Sequence, residues 1–272
     1  MLVFHLNLNM QTAIDQTYKE HEVFNQLTVY ADFYRELAFS VFSLITMGTR
    51  SICNIDSYVF SSIQGTLESI RDILFKGRIN DSYALLRKYY DSVIINIYSN
   101  LYLSDNFSLD NFLVKKIDDW LQGKERLPEY RVMSGYIKSS SKLTMINNLL
   151  FKDNTYKNLR DRCNDHTHYN FYHNLLLNDN EIFYKNRLSI LDEFSKDLEN
   201  VFVLHFAYLL YLNDQYMMSS DYIDSMDVGV TPEEGSQYFV APFIQKVFDS
   251  VIKKSRMDIA TEILNKTAMK LK

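Results

Sequence analysis

Apolar residues recur along most of this chain at steps of three and four, the spacing that lines one face of an α-helix. Between Asp56 and Lys76 the stripe is Val59, Ile63, Leu67, Ile70 and Leu74, and Gly77 follows where a left-handed C-terminal cap belongs. Asn80 or Asp81 offers an N-cap for a helix to about Leu103, with Tyr83, Leu86, Tyr90, Val93, Ile97 and Leu101 inward. Arg87 and Asp91 stand four apart beside that stripe and can pair. The clearest pattern runs from about Ile182 to Tyr216, where Leu188, Leu191, Phe194, Leu198, Val201, Phe202, Leu209 and Leu212 define a buried face.

The remaining patterns are weaker. A helix is expected from about Thr12 to Met47, ending near Gly48, and Ser108 is placed to cap one through Trp120 and Leu121, closed by Gly123. Lys124 to Ser141 holds Pro128, Gly135 and a run of serines and reads as short helices and loops, followed by a helical segment from Leu143 to Phe151. Asp153 or Asn154 can cap a helix over about 153–169, and Asn178, Asp179 and Asn180 read as a turn. Residues 1–10 alternate apolar and polar, as a short strand or docked arm does. With its glycines and proline, 226–236 reads as a linker; it separates a helical bundle over 1–225 from a helical extension over 237–272.

Composition sharpens the fold class. Only 7 glycines and 3 prolines occur in 272 residues, too few for the many tight turns of a sandwich or barrel, so the expectation is all-α. A hydrophobic share of 47% is enough for a large core. The 20 tyrosines and 18 phenylalanines lie mostly on the apolar stripes, which makes them core residues first. The net charge of -5 argues against sequence-independent coating of nucleic acid, although a nuclease site needs only a few local cations. Cys53 and Cys163 form neither a disulfide framework nor a zinc motif. The start, MLVFHLNLNM, lacks the pattern of a secretory signal, and the longest apolar run, Val201 to Leu212, is too short to span a bilayer. A cytoplasmic protein with no membrane association is expected.

Candidate chemistry gathers in LRDRCNDHTHYNFYH, Leu159 to His173, which holds three of the six histidines. On a helix, Tyr156, Leu159 and Cys163 face the core. Arg160, Asn164 and His168 then form a polar stripe on one flank, and Arg162 and His166 lie on the other. Guanidinium grips a phosphate with two hydrogen bonds, and imidazole moves protons near neutral pH, so the pairing suits phosphodiester chemistry without a metal or other cofactor. Surface or capping roles are the alternative for the same residues. His205, among apolar neighbours, is expected to be a core histidine held by a hydrogen bond.

This stretch resembles the R-x4-6-H signature of HEPN domains, helical bundles found in RNA-cleaving toxins and antiviral systems. Two registers fit with five intervening residues: Arg160 with His166, and Arg162 with His168. The first has Asp161 as the polar residue after the arginine; the second departs there with Cys163 but has Asn164 inside and His-Tyr-Asn trailing, and is preferred. GRINDSYALLRKYYDSVIINIY, Gly77 to Tyr98, is similar to early helices of bacterial HEPN-like proteins, and the resemblance covers about residues 55–215. It implies a homodimer with motif helices face to face, RNA as substrate, and 2′-hydroxyl attack leaving a cyclic phosphate. His168 or His166 would then be the acid–base and Arg162 or Arg160 the phosphate ligand. Arg87 and Lys88 would add positive charge, although an Arg87–Asp91 salt bridge is the plainer role; read from the residues alone, Tyr169, Phe171 and Tyr172, just after the histidines, either line a groove or staple the helix end. The resemblance also implies a toxin–antitoxin or phage-defence setting, with an antitoxin or defence-system partner. Some HEPN domains are inactive, and a helical scaffold or partner-binding protein is the alternative.

A di-iron site would need two Glu-x-x-His motifs and two further glutamates. One Asp-x-x-His, at Asp165 and His168, does not meet that requirement, so no metal site is expected.

Overall fold

A computed structural model of the chain describes residues 14–44, 52–108, 113–178 and 187–272. Those residues are all-α, with one isolated antiparallel bridge between Met218 and Val240. None of the helices described is long and apolar enough to cross a membrane.

Two helices at the N-terminal end, α1 (Gln16–Lys19) and α2 (Val23–Leu44), replace the single helix expected from Thr12. Local capping makes the break: Asp15 accepts the Tyr18 amide at 2.9 Å, and His21 Nδ1 accepts the Val23 amide at 3.2 Å. Residues 1–10 and the predicted end near Gly48 lie outside the described residues.

A hairpin of α3 (Ile55–Phe75) and α4 (Ile79–Asn106) follows the predicted stripes closely. Ile63, Leu67, Ile70 and Leu74 face Tyr83, Leu86, Val93, Ile97 and Leu101 in the core. Gly77, at φ 76°, closes α3, with the Arg78 amide reaching back to the Ile73 carbonyl at 3.2 Å. The predicted cap of α4 is corrected: Asn80 and Asp81 lie inside the helix, whose N-cap position is Arg78. The Asn80 side chain is drawn instead into contacts with a distant segment.

Short helices carry the chain around α4: α5 (Lys115–Leu121), α6 (Tyr130–Ser139) and α7 (Thr144–Leu150). Ser108 caps none of them, since α5 begins only after Val114, whose side chain is buried. The motif helix α8 (Thr155–Thr167) packs on α4, and a single turn, α9 (Tyr172–Leu175), follows. The predicted turn at 178–180 falls largely outside the described residues. The long α10 (Arg187–Leu212) packs against α2, α4, α7 and α8.

Beyond the short α11 (Asp221–Asp227), the tail forms α12 (Pro242–Val247), a π-helical turn (Phe248–Ile252), α13 (Lys253–Ser255) and α14 (Met257–Lys266). Ile244, Phe248, Ile252, Ile259 and Ile263 belong to the same core cluster as α2, α4 and α10. The C-terminal extension is thus built into the bundle rather than hung from it.

A chain of buried polar groups threads this core. Tyr34 bonds Tyr89 at 2.8 Å and His205 Nδ1 at 2.6 Å, while His205 Nε2 meets Asn96 Oδ1 at 2.9 Å. Asn96 and Asn100 then donate to Asp56 Oδ1, at 2.6 and 2.8 Å, and Tyr216 donates to Asp56 Oδ2 at 2.6 Å. One direction satisfies every member: Asn96 accepts through its oxygen, so His205 carries its proton on Nε2 and accepts a hydrogen bond from the Tyr34 hydroxyl at Nδ1. Three donors on two oxygens are the setting of an ionised carboxylate, against the burial that pushes Asp56 above its usual range. This connected network joins α2, α3, α4 and α10, and it gives His205 the core role expected of it, with two partners.

Candidate functional site

Helix α8 begins where Asp153 accepts the Thr155 amide at 2.8 Å and lays Tyr156, Leu159 and Cys163 into the core. Its two flanks face different neighbours, as the helical spacing requires, and those neighbours give them opposite charge.

Toward α10, Arg162 is gripped by two carboxylates. Its Nε and Nη2 bond Asp197 at 2.6 and 3.1 Å, and its Nη1 bonds Glu193 at 2.7 Å. Asp197 is buried, and its hydrogen bonds push Arg162 further above its already high pKa. One cation against two anions leaves this flank negative. A groove of about 480 Å³, lined by Arg162, Asp192, Glu193, Lys196 and Asp197 among others, runs along it.

Toward α4 the balance is reversed. Arg160 Nη1 bonds Asp91 Oδ1 at 2.6 Å, and Arg87 Nε reaches Asp91 Oδ2 at 3.5 Å, so two guanidiniums share one carboxylate. The Arg160 guanidinium also lies 3.3 Å from the centre of the Tyr130 ring, a cation–π contact that fixes its plane. Asn164 continues this flank, half-buried, and exposed His168 ends it. Lys88, next to Arg87 on α4, is exposed.

The four motif residues therefore separate. Neither register, Arg160 with His166 or Arg162 with His168, forms a pair: Arg160 bonds Asp91 of α4, Arg162 bonds Asp197 and Glu193 of α10, His166 turns inward onto Asn80 and Tyr83 at the start of α4, and His168 stands exposed. His166 is buried, stacked on Tyr83 with ring centres 3.9 Å apart and 8° between planes. Its Nδ1 donates to Asn80 Oδ1 at 2.7 Å. Burial, helped by the nearby charges of His173 and Arg162, holds it down to about 4, so it is neutral at physiological pH. Burial pushes the Cys163 thiol up to about 12, which keeps it protonated and inert. Among the described residues, no hydrogen bond or ion pair engages the His168 side chain, and no three potential metal ligands cluster.

Asparagines missed in the sequence hold the segment after α8 in place. The Asn80 amide donates to the Asn174 carbonyl, and the Asn80 backbone amide donates to Asn178 Oδ1 at 3.0 Å. Asn174 donates to the Asp165 carbonyl at 3.0 Å, and Asn170 to the Asp165 carboxylate at 2.7 Å. Their only sequence signal is density, since Asn164, Asn170, Asn174 and Asn178 fall within fifteen residues of one another.

Helix α8 closes with the Asn170 amide on the Asp165 carbonyl at 3.0 Å, the same six-residue return that closes α3. The left-handed position there is Tyr169, at φ 50°, whereas Gly77, Gly123 and Gly229 hold the other positive φ values that follow helices α3, α5 and α11. An L-residue in this region costs about 1–2 kcal/mol, and glycine recovers part of that cost. Tyr169→Gly is therefore expected to raise folding stability by about 0.5–1 kcal/mol. Urea unfolding checks this; a lower midpoint would show that the half-exposed ring packs more than its burial suggests.

Neither family models, nor curated proteins, nor solved structures give a match to this chain. The site must be interpreted from its own geometry.

Proposed function

We propose that this protein is a metal-independent endoribonuclease of the HEPN type, working in a toxin–antitoxin or phage-defence setting, with the α4-facing flank of α8 as its RNA site. The observation that carries the reading is the charge asymmetry of α8. Two arginines share one carboxylate on the flank of Arg160, Asn164 and His168, while one arginine is outnumbered on the other. A phosphodiester is drawn to the first flank and repelled from the second.

In this reading Arg160 and Arg87 hold the phosphate, and His168 takes the proton of the ribose 2′-hydroxyl. The 2′-oxygen attacks phosphorus and the bond to the 5′-oxygen breaks. That oxygen leaves with a proton from a second His168, supplied by a second copy of the chain, and a 2′,3′-cyclic phosphate remains. Arg162 and His166, the other motif pair, serve the fold.

The experiment is incubation of a mixed RNA pool with wild-type, His168→Ala and Arg160→Gln proteins in excess EDTA, followed by end mapping. Cleavage by wild type alone, leaving cyclic phosphates, is expected. Equal cleavage by wild type and His168→Ala would remove His168 from the chemistry.

A second reading, an inactive helical scaffold or partner-binding protein, is favoured by the internal pairing of Arg162 and the burial of His166. Intact RNA with all three proteins would select it.

A further inference from the structure

Just beyond His168 the chain turns apolar side chains outward. Tyr169, Phe171, Tyr172 and Leu175 are 42%, 53%, 76% and 45% exposed, although most aromatic residues of this chain serve its core. Phe171 and His173 already stand nearly parallel, with centres 5.7 Å apart and 17° between planes. Asn170 and Asn174, bonded to Asp165 and Asn80, hold the backbone beneath these rings, so the exposed surface is pre-organised. Tyr169 keeps a large side chain where the other helix ends of this geometry use glycine. A large, half-exposed ring kept at a strained position points to a use for that ring beyond the fold.

Charge selects the occupant. The chain carries 34 acidic residues, yet Thr167 to Asn178 contains none, and the cationic flank of Arg160 and Arg87 leads to its start. The two carboxylates that touch the segment, Asp165 and Asp81, each accept from one of its asparagine amides, Asn170 at 2.7 Å and Asn178 at 3.1 Å, and are engaged within the fold. A second copy of the chain suits the patch poorly as sole occupant, because four side chains fall far short of the roughly 800 Å² per partner that a stable dimer buries.

We infer that Tyr169 to Leu175 is a stacking platform for unpaired bases of single-stranded RNA, placed beside the flank that holds its backbone. The inference rests on reading α8 as an RNA site and names the substrate class: unpaired, pre-stacked on Phe171 and Tyr172, and tolerant of base identity because every base offers a π-face.

The test is anisotropy titration of the full chain with a fluorescein-labelled single-stranded 2′-O-methyl oligouridylate of about twelve nucleotides, within the span of a single-strand site. Lacking a 2′-hydroxyl, this probe cannot be cleaved. Phe171→Ser and Tyr172→Ser are each expected to weaken binding about tenfold with the salt dependence unchanged, because stacking releases no counterions. Arg160→Gln is expected to weaken binding and flatten the salt dependence. Phe171→Trp and Tyr172→Trp should keep wild-type affinity, and a duplex of equal length should bind about tenfold more weakly than the single strand.

Wild-type affinity in both serine variants, or equal binding of duplex and single strand, would overturn the platform. So would a change of sedimentation from dimer to monomer on Tyr172→Ser, which would make the patch a contact between copies. Ring-dependent binding by a protein that leaves ordinary RNA intact supports the platform and refutes the ribonuclease. Cleavage of RNA with ring-independent binding does the reverse.

Discussion

Replacing Arg162 by alanine is expected to destabilise the fold by about 3 kcal/mol, whatever it does to activity. The substitution strands Asp197, which is buried and loses both hydrogen bonds from the guanidinium. Breaking a buried pair by removing one partner costs about 3–5 kcal/mol, and the half-exposed Arg162 side puts this pair at the low end. Glu193, at the solvent edge, contributes little. The double variant Arg162→Met with Asp197→Leu is expected to recover most of the loss, since it removes the stranded charge. Urea unfolding of the three proteins decides; a single variant within about 0.5 kcal/mol of wild type would show that water reaches Asp197. An inactive Arg162→Ala protein is consequently no evidence for catalysis by Arg162, which is why Arg160→Gln is the informative change.

Acid is expected to unfold the protein from well above the carboxylate range. His205 is held down to about 3 and His166 to about 4, both chiefly by burial, against an ordinary histidine value of 6.5. A depressed histidine is neutral when folded and protonated when unfolded, so its stabilisation is complete above pH 6.5. It is lost as pH falls toward the folded value. Each histidine should remove about 1.4 kcal/mol per pH unit in that window, and the two together about 2.7. Burial raises Asp56, Asp197 and Glu199, which take up protons in the folded state and oppose the loss at the acid end. The slope is therefore cleanest from just below pH 6.5 to about 5. Unfolding free energies measured across that range should fall steeply in wild type and about half as steeply in His166→Gln, which retains a donor for Asn80. Equal slopes would mean that His166 protonates within the folded protein.

Some of the architecture could be read from the residues alone. The stripes of α3 and α4 fall where predicted because a 3.6-residue period with large apolar side chains has one way to be buried. Gly77 ends α3 as expected, since only glycine enters the left-handed region cheaply. The capping expectation at Ser108 failed because α5 begins only after Val114, and that at Asn80 failed through competition. A short polar side chain ahead of an apolar run caps a helix only if nothing better competes for it, and Asn80 found His166 and Asn174, eighty-six and ninety-four residues away.

The candidate site shows the same division. Helical spacing alone determined that Arg160, Asn164 and His168 share a flank and that Arg162 lies on the other, because the angle per residue is a local property of the backbone. It also determined the all-helical class, through the scarcity of glycine and proline. Charge and burial on each flank were decided by the tertiary structure. Asp91 on α4, Asp197 on α10 and Tyr83 over His166 come from distant parts of the chain, and no periodicity in α8 specifies them. Two arginines two residues apart thus diverge, one exposed to an excess of positive charge and the other bound to buried carboxylate, because electrostatics and desolvation act through space while the sequence pattern acts only along the chain.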